Sequence, residues 1–248
     1  MCGIAGFNRA ARSKRNAKQL AVEMALAIEQ RGHHATGAGW TEQDWPFFWK
    51  EEGAARRVVR SAPVPRDTGN LILHTRYATH GDVSQEVNNH PHVVPGIVLV
   101  HNGTLSNYRE LMEFADYTPQ GECDSEAIPA LLAAFPEEHP ADLLPLLEGR
   151  AAVAWIATDD PDTLHLARVT GSPLVTAQDR IGNFYFSSTL PLLYKALNRL
   201  DIDPVWTEEV PEGTYIRVRG GRVSEVTRFA VKHVEVDRRL TLMTEGGR

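Results

Sequence analysis

The chain has 248 residues, 42% of them apolar and 23% charged, and a formal net charge of -6. That composition fits an ordinary globular protein, and the absence of a long basic run argues against a nucleic-acid partner. Cys2 and Cys123 are too few for a disulfide framework, and no stretch approaches the 18 apolar residues of a membrane span, so a cytoplasmic protein without a membrane partner is expected.

The opening MCGIAGF reads as a strand over residues 4–7, followed by the solvated stretch NRAARSKRNAK. Ala17, Leu20, Ala21, Met24 and Ile28 then recur at helical spacing, with Asn16 as N-cap and Gly32 as C-cap. A strand-like stretch covers residues 45–50, and SAPVPRDTG is a loop. NLILHTRYATHG starts as a strand and turns polar, while GIVLVHNG runs through four apolar residues into an expected turn at His101, Asn102 and Gly103. Ser106 is expected to cap a helix carrying Tyr108, Leu111, Met112 and Ala115. Asp124 or Ser125 is expected to cap another carrying Ile128, Leu131 and Leu132, whose start Pro129 leaves open. Short strands follow at AAVAWIA, TLHLARV, PLVTAQ and NFYFSS, then a helix over 191–198 and a hairpin turning at Gly220 and Gly221. Runs of consecutive strands without regular strand-helix alternation predict an α+β protein of antiparallel sheets layered with helices. With no linker or repeat in sight, one domain is expected over residues 1–248.

Several polar groups can carry chemistry. If Met1 is removed, Cys2 holds a thiol and a free α-amine, whose ordinary pKa values of about 8.5 and about 7.7 to 8.0 let the amine take the thiol proton. Alone, Cys2 serves equally well as a buried strand residue. The Asn102 amide and Gly103 N–H are donors of the kind that hold an oxyanion, although Asn-Gly is also a common turn. Arg76, at the end of a buried strand, suits either a ligand carboxylate or an internal ion pair. Asp124 suits either a helix cap or a ligand ammonium. His80, His90, His92 and His101 match no zinc spacing and Cys123 lacks a paired cysteine, so no metal site is expected. Cys123 is read as a small buried residue. His33 and His34 are read as loop residues without a role.

CGIAGF, RGHHATG, HTRYATHG, EVNNHPHV, HNGTLSNY, CDSEAI and TGSPLV stand in the order found in class II glutamine amidotransferase domains, which are N-terminal-nucleophile hydrolases. Over residues 2 to about 229 the chain resembles the glutaminase domain of glucosamine-phosphate synthases, leaving 230–248 as a C-terminal extension. The resemblance implies a four-layer α/β/β/α sandwich and hydrolysis of L-glutamine through a γ-glutamyl thioester on Cys2, with no metal or organic cofactor. It implies an oxyanion hole of Asn102 and Gly103, and Arg76, Thr79 and the neighbourhood of His80 on the α-carboxylate. Gly103 and Asp124 would receive the α-amine. Tyr77 stands where the synthases usually carry tryptophan, near the family's ammonia gate, and the His33 to Thr36 stretch replaces a more usual Tyr-Asp-Ser-Ala. The chain ends at Arg248 without a synthase region, so ammonia delivery to a separate synthase protein is expected. The alternatives are a hydrolase of another γ-glutamyl amide and a catalytically silent glutamine-binding module.

Overall fold

The computed structural model describes residues 1–43, 45–78 and 81–232. Thr79, His80 and residues 233–248 of the expected extension lie outside the described residues. In chain order the elements are β1 (Gly3–Asn8), α1 (Ala17–Ile28), β2 (Ala35–Glu42), β3 (Trp45–Glu52), α2 (Ala55–Val58), β4 (Asn70–Arg76), β5 (His92–Val94) and β6 (Ile97–Leu105). They continue with α3 (Tyr108–Phe114), α4 (Ala127–Ala134), α5 (Pro140–Leu143), β7 (Gly149–Ala157), β8 (Thr163–Thr170), β9 (Val175–Asp179) and β10 (Phe184–Ser187). The last are α6 (Leu190–Arg199), β11 (Pro204–Glu209), β12 (Thr214–Arg219) and β13 (Arg222–Arg228).

One sheet has seven strands in the order β11-β9-β10-β1-β4-β2-β3, and the other has six in the order β13-β12-β8-β7-β6-β5. Neighbouring strands pair antiparallel, as consecutive strand runs imply. Side-chain alternation sorts each strand between two faces. On β1 and β4, Ala5, Phe7, Leu71 and Leu73 pack outward against Leu20, Met24 and Ile28 of α1 and Leu193 and Leu197 of α6. Leu99, Val153 and Trp155 pack outward from the second sheet against Leu111 of α3 and Ile128 and Leu131 of α4. Ile4, Ile72, Val98, Val100, Ala154, Leu166, Phe184 and Phe186 fill the layer between the sheets. The result is a four-layer α/β/β/α sandwich. Each large apolar side chain buried there stabilises the fold by roughly 1.5 to 3 kcal/mol.

Local chemistry explains most element ends, and some differ from expectation. The Asn16 side chain caps α1 by accepting from the Gln19 N–H at 3.2 Å. Gly32 is not a left-handed C-cap, because its backbone is extended and a 3-10 turn over Glu29–Arg31 separates it from α1. It is glycine because a Cβ would stand 2.4 Å from the Arg76 carbonyl carbon. Residues 101–103 form no turn. They continue β6, with His101, Asn102 and Gly103 paired to Val153, Ala152 and Ala151 of β7, so the sheet ladder overrides the turn preference of Asn-Gly. Asn107 occupies the N-cap of α3, and the Ser106 hydroxyl donates instead to the Glu148 carbonyl. Neither Asp124 nor Ser125 caps α4, since a 3-10 turn over Asp124–Glu126 leads into it and Pro129 falls in its first turn.

Candidate active site

The alternation that sends Phe7 and Leu73 outward turns Ile4 and Ile72 inward, and with them Cys2, His74 and Arg76 at two-residue steps. Antiparallel pairing of Gly3 with Thr75 then sets Cys2 beside Arg76 at one end of the first sheet. On β6, Val98 and Val100 face the same layer, so Asn102 faces it too. The His74 Nε2–H donates to the His101 carbonyl at 3.1 Å, joining the strand that ends in Arg76 to the strand that carries Asn102. Burial holds His74 down at about 3, leaving the bridge a neutral imidazole.

Cys2 lies just ahead of β1, and its main-chain carbonyl accepts from Arg31 Nε at 2.7 Å. The Tyr77 N–H donates to Cys2 Sγ at 3.5 Å, and the thiol points to the Tyr77 carbonyl at 3.7 Å. Burial pushes the thiol up. The Tyr77 hydrogen bond, the terminal ammonium and Arg76 favour the thiolate, and Asp124 opposes it. One thiol thus feels both a fixed cation and a fixed carboxylate.

The Arg76 guanidinium is 2% exposed. It donates through Nη1 to Asn89 Oδ1 at 2.7 Å and through Nη2 to the Gly81 carbonyl at 3.1 Å. Asn89 is itself anchored, its amide donating to the Val83 carbonyl at 2.7 Å. Asp124 Oδ2 accepts from the Leu105 N–H at the end of β6 at 2.6 Å, so the carboxylate is held against the strand that carries Asn102. The Asn102 amide nitrogen is buried and has no hydrogen-bond partner among the described residues. Leaving a buried donor unmade costs about 1 to 3 kcal/mol, so this group is poised for an acceptor. At Gly103 a Cβ would approach the Arg150 carbonyl oxygen to 1.7 Å, which only glycine avoids. A cleft of about 710 Å³ opens beside this region, lined in part by Gly81, Tyr108, Met112, Tyr117 and Cys123.

Residues 74–195 match the glutamine amidotransferase domain family. The glutamine--fructose-6-phosphate aminotransferase (isomerizing) of Escherichia coli strain K12 is 32% identical over 242 residues, covering 93% of this chain and 36% of that protein. The enzyme of the same name from Acinetobacter baylyi is 32% identical over 203 residues, covering 78% of this chain and 32% of that protein. The chain belongs to the class II glutamine amidotransferases. It spans about a third of the length of the curated relatives it matches. The fold of this amidotransferase domain is also that of the glutamine phosphoribosylpyrophosphate amidotransferase of B. subtilis, with a TM-score of 0.74 at 18% identity over 93% of this chain and 50% of that one.

Two residues of this candidate site escaped the sequence reading. Asn89 lies in the quoted EVNNHPHV motif, but nothing local shows that its amide meets Arg76. His34, read as a loop residue without a role, accepts the Ala78 N–H on Nδ1 at 3.0 Å and stacks on the Tyr77 ring at 5.1 Å. It therefore braces the backbone that touches the Cys2 sulfur. Tyr77 itself is exposed. Cys123 is buried, as expected.

Proposed function

We propose that the chain hydrolyses the side-chain amide of L-glutamine, with Cys2 as nucleophile once Met1 has been removed. The α-amine of Cys2 takes the thiol proton, and the thiolate attacks the amide carbon. The oxyanion of the tetrahedral intermediate accepts hydrogen bonds from the Asn102 amide and the Gly103 N–H. Collapse releases ammonia, its third proton returned by the α-amine, and leaves a γ-glutamyl thioester. Water then attacks the thioester with the same amine as base, freeing glutamate and the thiol. Arg76, with Thr79 and His80, receives the α-carboxylate of glutamine. Gly103 and Asp124 receive its α-amine, and Tyr77 sits at the ammonia exit.

The observation that carries this reading is the Asn102 amide nitrogen, buried without a partner among the described residues on the face turned toward the Cys2 sheet. A donor fixed in advance where charge develops is worth more than one recruited from solvent. The ammonia passes to a separate synthase protein in the cytoplasm, and residues 1–248 act as one glutaminase domain. The relatives named above carry further sequence beyond the matched region, which supports an acceptor partner.

Ammonia release from L-glutamine by protein whose intact mass shows Cys2 at the N-terminus tests the proposal. Turnover lost in Cys2→Ala is the expected result. Equal turnover in Cys2→Ala removes Cys2 from the mechanism. Faster turnover of another γ-glutamyl amide replaces glutamine as the substrate.

A further inference from the structure

The sequence offers no zinc spacing, yet the fold gathers His90, His92 and Cys123 from two segments, with one ligand atom of each within 4.8 Å of the others. His92 opens β5, and Cys123 precedes the 3-10 turn into α4. The three are buried, at 3%, 2% and 6% exposure. Among the described residues, both ring nitrogens of His90 and Nε2 of His92 find no hydrogen-bond partner. A neutral imidazole always carries one N–H and one lone pair, so packing alone leaves polar atoms unsatisfied in the interior. His90 stacks on His74 at 3.8 Å and meets His92 edge-on at 4.4 Å, but ring contacts do not satisfy the ring nitrogens.

We propose that His90, His92 and Cys123 form a zinc site with its fourth position open to water. Two imidazole nitrogens and one thiolate are a donor set that Zn²⁺ takes in tetrahedral geometry at about 2.0 to 2.3 Å. The Cys123 proton leaves to solvent on binding, and the ion's charge offsets the burial that otherwise pushes the thiol up to about 11. The remaining positive charge faces Asp124, whose Oδ1 lies 3.8 Å from Cys123 Sγ. A small cleft of about 270 Å³ reaches His92 past Glu86 and Glu126, giving a cation an acidic way in. Lys50, which lines the same cleft, opposes it, although its ammonium is turned to the Asn89 and Pro91 carbonyls at 3.1 and 3.3 Å. The ion ties the segment that holds Asn89 to the segment that holds Asp124.

The test uses full-length Cys2→Ala, in which Cys123 is the sole cysteine. After stripping with a chelator and dialysis, Co²⁺ is expected to bind at one equivalent per chain with a thiolate-to-metal absorption band, and Zn²⁺ to displace it. Zinc raises Tm of this protein, and both effects vanish in Cys2→Ala carrying His92→Gln, with folding checked by circular dichroism. Absence of stoichiometric binding overturns the proposal, as does Co²⁺ binding without a thiolate band, or binding unchanged by His92→Gln. Should His92→Gln fail to fold, the band and stoichiometry in Cys2→Ala alone decide, because no other thiol can produce them.

Discussion

At the scale of single residues, the proposed roles separate in kinetics. Asn102→Ala removes an oxyanion donor used only in the transition state, so kcat for ammonia release falls about 100-fold to 1000-fold with KM nearly unchanged. Asn89 is a positioning residue, acting through the Arg76 guanidinium that it holds at 2.7 Å. Asn89→Ala therefore raises KM for glutamine about tenfold, the effect of losing roughly 1.4 kcal/mol of ground-state binding, with little change in kcat. Asn89→Asp keeps an acceptor for Arg76 but loses the donor to the Val83 carbonyl, so it recovers only part of the affinity. A fall in kcat at constant KM in Asn89→Ala contradicts this assignment. His34 shows why such residues are hard to find in a sequence. Its partners, Ala78 and Tyr77, stand over forty positions away, and nothing in RGHHATG distinguishes a loop histidine from a brace.

At the scale of elements, the periodic pieces were legible and the glycine-rich ones were not. The spacing of α1 and its Asn16 cap, the apolar run into β6 and the Gly220-Gly221 hairpin all follow from local rules, and the structure has them. β2 escaped because ATGAGWT carries too few large apolar residues to read as a buried strand. Its glycines answer to a distant segment, since a Cβ on Gly37 would stand 2.0 Å from the His90 carbonyl oxygen. Gly37→Ala must therefore displace backbone, and a cost of about 1 to 3 kcal/mol is expected. Thermal unfolding should show it as a drop in Tm of roughly 2 to 4 °C per kcal/mol. An unchanged Tm would mean that the His90–Pro91 segment yields freely. The continuation of β6 through Asn102 and Gly103 is the complementary lesson. Local preference pointed to a turn, while nine residues of unbroken register with β7 made it a strand.

At the scale of the whole molecule, the sandwich buries imidazoles that it keeps neutral. His165 on β8 hydrogen-bonds through Nδ1 with the Tyr215 hydroxyl at 2.8 Å and stacks on Trp155. Burial first, then the Arg217 charge, hold it down at about 4, while Asp160 and Glu225 pull it up and His139 adds to the lowering. The unfolded imidazole takes its proton near 6.5, so between about pH 6.5 and 4 the unfolded chain binds more protons than the folded one. Stability then falls as pH drops through that window, by about 1.4 kcal/mol per pH unit from this group once well inside it. His165→Gln cannot titrate and should flatten the decline of Tm with acid. An equally steep decline in that variant would assign the acid sensitivity elsewhere.

Met1 stands 64% exposed ahead of β1, beside a Cys2 whose sulfur already accepts the Tyr77 N–H. A peptidase therefore has access to it without unfolding the sheet. On the proposed mechanism a chain that keeps Met1 is folded yet latent, and the clock that starts catalysis is the cutting of the peptide bond before Cys2. The specific activity of a preparation then falls with its unprocessed fraction even where every chain is folded.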